Sequence, residues 1–197
     1  GSNTAVADKD TDFLALEVGA ADGVSQALKI GEGVTVTGRN EVRVTDGGTI
    51  DIEGGKVASV RWVDVKKGGR LLGAGSVEGI LYNDGKVAVV PSAVAGMLMV
   101  AGDYREEGGS RLHLEIAGKG INVTGEAELA GILSVETVPR AKVGELYEVV
   151  SADSVTGRFA NAGDRVQAGD GTELRVGYEA GRVTLTVVSP LQLSLAE

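Results

Sequence analysis

Apolar and polar residues alternate along most of the chain. Val34/Val36, Val42/Val44, Ile50/Ile52, Leu112/Leu114/Ile116, Leu174/Val176/Tyr178 and Val183/Leu185/Val187 each place every second side chain on one face, the periodicity of a half-buried β-strand. Phe13-Leu14-Ala15-Leu16-Glu17-Val18 reads as a first strand of this kind, and Ala20 to Ile30 is the one stretch with the spacing of a short helix. Turn signals stand between the strands at Asp46-Gly47-Gly48, Gly54-Gly55, Gly68-Gly69, Asn83-Asp84-Gly85, Gly108-Gly109 and Gly131. Several recur about every twenty residues, as from Gly47 to Gly68, Gly85 to Gly108 and Gly108 to Gly131, which is the length of one coil of two or three short strands.

This repeat predicts an all-β fold, a right-handed parallel β-solenoid (β-helix) whose coils stack about 4.8 Å apart in register. A β-sandwich of ordinary hairpins is the alternative. Residues 1–12 are expected to be a tag remnant, Gly1-Ser2, followed by a disordered or linker N terminus, and residues 13–138 the solenoid coils. From Pro139 the strands lengthen, and residues 139–197 are expected to form a more antiparallel β cap on the solenoid, because an open end invites aggregation. Val34, Val36, Val44, Ile50, Ile52, Leu112, Leu114 and Ile116 are expected to face inward.

Composition agrees: 31 glycines and only 4% aromatics suit short strands with tight turns. A net charge of −9 argues against a nucleic-acid partner, which needs clustered Lys and Arg along a phosphate track. The absence of cysteine rules out disulfides, thiol catalysis and cysteine-ligated zinc. Val87 to Val100 is apolar but interrupted by Pro91 and Gly96 and is too short to span a bilayer, so no membrane insertion is expected.

Candidate chemistry is sparse. Asp8, Asp10 and Asp12 have the spacing that opens a calcium loop, yet Phe13 stands where such a loop needs glycine and Gly19 where it needs glutamate, so a solvated tail is expected and no metal or cofactor. His113 is the only histidine, which removes any multi-histidine site, and its alternation places it on a strand surface. Arg43, Asp51, Glu53, Asp64, Lys66, Lys67 and Arg70 face outward, and a pair such as Asp51/Glu53 would do acid-base work only if it converged in a groove. Trp62, flanked by Arg61 and Asp64 and joined by Tyr82 and Tyr104, is the candidate platform for a sugar ring; the competing reading is a Trp packed in the core. Asn122-Val123-Thr124 matches a glycosylation sequon by chance.

Two longer tracts carry a family resemblance. Leu98-Met99-Val100-Ala101-Gly102-Asp103-Tyr104, then Gly108-Gly109 and Leu112-His113-Leu114-Glu115-Ile116-Ala117-Gly118, followed by Ile121 to Val135, resemble the autotransporter-type β-strand repeats of large secreted bacterial proteins. Gly144-Glu145-Leu146-Tyr147-Glu148-Val149-Val150, with Ala152, Val155, Gly157 and Phe159, is similar to the closing segment of such passengers. The resemblance implies β-helical stems that present adhesive or enzymatic parts, or accessory modules of polysaccharide-degrading enzymes. The chain ends at Glu197 without the membrane β-barrel of that family, so self-transport is not implied.

The resulting expectation is a non-catalytic extracellular module, a stalk or adhesive segment of a larger bacterial protein that is secreted or held at the cell surface. The alternative is a carbohydrate-binding module serving a polysaccharide-degrading enzyme, and the third reading a lyase or hydrolase of the β-helix type. The expected partners are neighbouring domains of the parent protein and a polysaccharide or cell-surface glycan.

Overall fold

The computed structural model describes residues 2–20, 23–91, 96–117 and 119–189. The chain winds round a three-sided coil whose passes stack as a β-solenoid. β1 (Ser2–Ala7), β2 (Thr11–Phe13) and β3 (Leu16–Val18) form the first coil, and β4 (Ser25–Gly31), β5 (Thr35–Gly38) and β6 (Glu41–Val44) the second. β7 (Gly48–Val65) and β8 (Arg70–Asn83) each run round all three sides as one bent ribbon. β9 (Lys86–Val89), β10 (Leu98–Ala101) and β11 (Tyr104–Glu106) follow, then β12 (Arg111–Ile116), β13 (Ile121–Val123) and β14 (Glu126–Leu129). β15 (Ile132–Thr137), β16 (Leu146–Ser151) and β17 (Ser154–Gly157) close the stack.

Every ladder in this stack is parallel, which a sandwich of hairpins would not produce. The register fixes what lies above what. On the third side the column Leu16, Val42, Val63, Leu81, Tyr104, Ala127, Val155 runs up the molecule, each residue paired with the next. Such columns meet in one continuous aliphatic core, in which burying each Val, Leu or Ile contributes about 1.5–3 kcal/mol. Of the residues expected inside, Val36, Val44, Ile50, Ile52, Leu112 and Leu114 are buried, and Val34 and Ile116 are half-buried.

Glycine makes the corners. Gly54 and Gly79 bend β7 and β8 at φ +85° and +111°, and a β-carbon on Gly79 would stand 2.5 Å from the Ser59 carbonyl of the coil below. At the far end β16 turns away to pair antiparallel with β20 (Arg182–Ser189), β20 pairs with β19 (Glu173–Glu179), and β19 with β18 (Arg165–Gln167). This antiparallel group stands within the tract expected to form the cap; residues 190–197 of that tract lie outside the described residues.

Two expectations need correction. Residues 2–12, expected to be tag remnant and a disordered or linker N terminus, contain β1 and the start of β2, with β1 in unbroken parallel register against β4; among the described residues β1 is paired on one side only, and such an edge strand stays exposed. The helix expected between Ala20 and Ile30 is instead β4 from Ser25 onward, because the stacking of Leu28 and Ile30 on Ile50 and Ile52 overrides local propensity. No helix among the described residues is long and apolar enough to cross a membrane.

Candidate functional site

The outward side of β6, β7 and β8 on the third face carries the sequence candidates. Because Val42, Val63 and Leu81 point inward, their neighbours Arg43, Asp64 and Tyr82 point out, stacked in one column that continues to Arg105 and Glu128. Trp62 stands one position away, paired with Glu41 below and Ile80 above. Arg43, Trp62, Asp64, Lys66, Tyr82 and Asp84, with Glu107 and Gly108 at one end, enclose a hollow of about 490 Å³.

Trp62 and Tyr82 are each half-buried, so both rings reach the hollow while resting on the sheet. The Trp62 indole donates to Glu41 Oε2 at 3.3 Å, which orients its plane, and the exposed Arg61 guanidinium sits 5.7 Å from the ring centre. Arg105 stands 6.0 Å from the centre of the Tyr82 ring and is tied to Asp103 at 3.2 Å. Asp64 is 8% exposed and ion-paired with Lys66 at 2.8 Å, and Arg43 is paired with Glu41 at 3.0 Å. The hollow therefore combines two aromatic surfaces with side chains already held by neighbours, an arrangement able to stack a planar or ring-shaped ligand and hydrogen-bond its rim.

Tyr104 does not join them. It is fully buried beneath the face, in the inward column over Leu81. Its hydroxyl donates to Glu106 Oε1 at 2.8 Å and accepts from Asn83 Nδ2 at 3.0 Å. Glu106 Oε2 accepts from the backbone N–H groups of Gly131 at 2.9 Å and Ala130 at 3.2 Å, and Asn83 also donates to the Arg111 carbonyl at 3.2 Å. Burial pushes the Glu106 carboxyl up, opposed by these donors, and holds the Tyr104 hydroxyl well above its ordinary range, with the Glu106 charge adding to it. This cluster joins three coils at one corner, and none of Asn83, Tyr104 and Glu106 is among the described residues that line the Trp62 hollow.

The remaining candidates are separated. Asp51 and Glu53 both lie against Lys29 Nζ, at 3.5 and 2.7 Å. Asp10 accepts from the Thr35 N–H at 2.7 Å and Asp12 pairs with Arg39 at 3.0 Å, so each ties the first coil to the second. His113 is half-buried on the first face, its Nδ1 3.0 Å from Ser134 Oγ. Sequence reasoning passed over Asn83 and Glu106 as core residues and Lys86 and Arg111 as surface ones; the unequal lengths of the coils conceal these columns until the register is known. No protein-family model matches the chain, and no curated protein matches it.

Proposed function

We propose that the chain is a non-catalytic, adhesive β-solenoid segment of a larger bacterial protein, secreted or held at the cell surface, in the manner of autotransporter-type passengers. The observation that carries this reading is the unbroken parallel register from Leu16 to Val155, which joins all coils into one stiff rod with continuous backbone ladders. A rod serves as a spacer for neighbouring domains, and its regular side surfaces serve for attachment. Antibodies against residues 2–189 are expected to label intact cells of the source bacterium or to detect the protein in the medium. Signal confined to lysed cells would overturn the proposal.

A second reading, carbohydrate binding, is favoured by the accessible pair Trp62 and Tyr82 in the hollow. On that reading Trp62→Ala and Tyr82→Ala each abolish retention on a polysaccharide that the parent protein binds, while the melting temperature barely moves. If Trp62 is only packing, its removal lowers stability and leaves retention as it was.

A further inference from the structure

Round the corner from the Trp62 hollow, three basic side chains stand in a single column. Arg70 opens β8, Lys86 opens β9 and Arg111 opens β12, and the register pairs Arg70 with Lys86 and Lys86 with Arg111. All three face outward, because the adjoining Leu71, Val87 and Leu112 fill the core. The column continues to Thr49 on one side and Ile132 on the other, so no acid breaks it. Like charges directly across a ladder repel. Elsewhere the chain answers such cations with acids, as Lys29 is answered by Asp51 and Glu53 and Lys56 by Glu78. Among the described residues neither Arg70, Lys86 nor Arg111 has an ion-pair partner.

The column opens on a second hollow of about 280 Å³, shared with Lys67 and with glycines including Gly69 and Gly85; among the described residues Asp84 is the one carboxylate lining it. A β-carbon on Gly85 would press on the carbonyls of Lys66 and Gly69, so close stacking of the coils requires glycine there, whereas the space beside Gly109 is open. Burial, with the Arg70 and Arg111 charges on either side, holds the Lys86 ammonium below its ordinary range, although Glu136, two coils away on β15, opposes this.

We propose that the Arg70, Lys86 and Arg111 column binds a linear acidic polysaccharide, its carboxylate or sulfate groups running along the solenoid axis. Coil stacking presents one cation about every 4.8 Å, a rise comparable to one sugar ring, and the two guanidiniums can grip a carboxylate or sulfate through two parallel hydrogen bonds. A column one side chain wide meets a single row of anions. Nucleic acid fits less well, since its broad phosphate surface reaches beyond a column one side chain wide onto a chain whose overall net charge is −9. The proposal names a ligand class for the adhesive reading but stands on a different face from Trp62 and does not require that hollow to bind sugar.

The test is affinity electrophoresis of the whole chain at low ionic strength through polygalacturonate, dextran sulfate or neutral dextran, with single-stranded DNA as competitor. Retardation by at least one acidic polymer and not by dextran is expected, polygalacturonate reporting carboxylate recognition and dextran sulfate reporting sulfate. The double variant R70Q/R111Q should weaken it on the order of tenfold, whereas K56Q on another face should leave it unchanged, with far-ultraviolet circular dichroism checking that each folds. His113, the only histidine, lies two residues beyond Arg111 on the same outward side, where burial and the Lys86 charge hold its ring below the ordinary range against Glu136 and Glu115. Bound anion should raise the pH at which that single imidazole titrates by NMR. No retardation by either acidic polymer, equal retardation by dextran, indifference to R70Q/R111Q, or DNA binding as tight as the glycan's would each overturn the proposal. Surface labelling, which tests the adhesive reading, is independent of all four outcomes.

Discussion

The inward column at one corner of the solenoid changes character halfway along. In the first coils it is Val18, Val44 and Val65, each stacked on the last and buried; above them the same column continues as Asn83 and Glu106. The backbone treats the two halves alike, since parallel pairing runs through both. The side chains do not. The valines contribute through burial alone and tolerate any neighbour of the right shape, whereas Asn83 and Glu106 need Tyr104 and the Ala130–Gly131 N–H groups in place to offset their desolvation. Inward orientation is thus a property of the period, while the stability gained at an inward position depends on what the coils above and below supply.

The sharpest way to break the comparison is to move polarity into the apolar half. Val44→Asn buries an amide between Val18 and Val65 with no partner, and the lost aliphatic burial adds to the unpaired amide for an expected cost of about 4 kcal/mol. Urea denaturation measures it, and a loss below about 1 kcal/mol would show that this half accommodates polar groups as readily as the other. Next in size is Glu106→Ala, which strips the acceptor from the Tyr104 hydroxyl and from two backbone N–H groups, for about 3 kcal/mol. Tyr104→Phe removes one hydroxyl that both donates and accepts and should cost about 1.5 kcal/mol. If Tyr104→Phe proved as costly as Glu106→Ala, the hydroxyl and not the carboxylate would be the centre of the cluster.

Much of the coil architecture was legible because period-two alternation does not depend on which strand pairs with which. Val42/Val44, Ile50/Ile52 and Leu112/Leu114 face inward whatever the register. Pairing was not legible, because the coil from Arg70 to Lys86 is far shorter than the one from Lys86 to Arg111, and no fixed spacing in the sequence brings the three into a column. Polar residues at inward positions misled in a different way. Asn83 heads the turn signal Asn83-Asp84-Gly85 and reads as solvent-facing, yet it closes β8 from inside; Tyr104 reads as a ring available to ligand, yet its hydroxyl is taken up by Asn83 and Glu106. At the candidate site, Trp62, Asp64 and Tyr82 do share one hollow, because two-residue spacing and coil stacking place them on the same outward surface.

The smallest effects concern pH, and they set the buried corner against the cap. Glu106 and Asp170 each accept two backbone N–H groups, those of Gly131 and Ala130 for the first and of Val138 and Thr172 for the second. Burial dominates at Glu106 and raises its carboxyl above the ordinary 4.5, whereas at Asp170 burial raises and the combined donors outweigh it, leaving the carboxyl below 3.8. The signs of linkage are therefore opposite. For Glu106 the folded state holds its proton more tightly than the unfolded chain, so its contribution is fully present below 4.5 and is lost as pH rises through the raised value. For Asp170 the contribution is present above 3.8 and is lost as pH falls through the lowered value. Unfolding free energies of the parent, Glu106→Gln and Asp170→Asn, measured from about pH 3 to pH 8, should separate the two. The parent should lose ground to Glu106→Gln as pH climbs past the ordinary carboxylate range, and lose its advantage over Asp170→Asn as pH drops below it. Two parallel pH profiles would mean that the corner carboxylate is solvated as freely as the one in the cap, and the contrast between the apolar and polar halves of the column would then rest on shape alone.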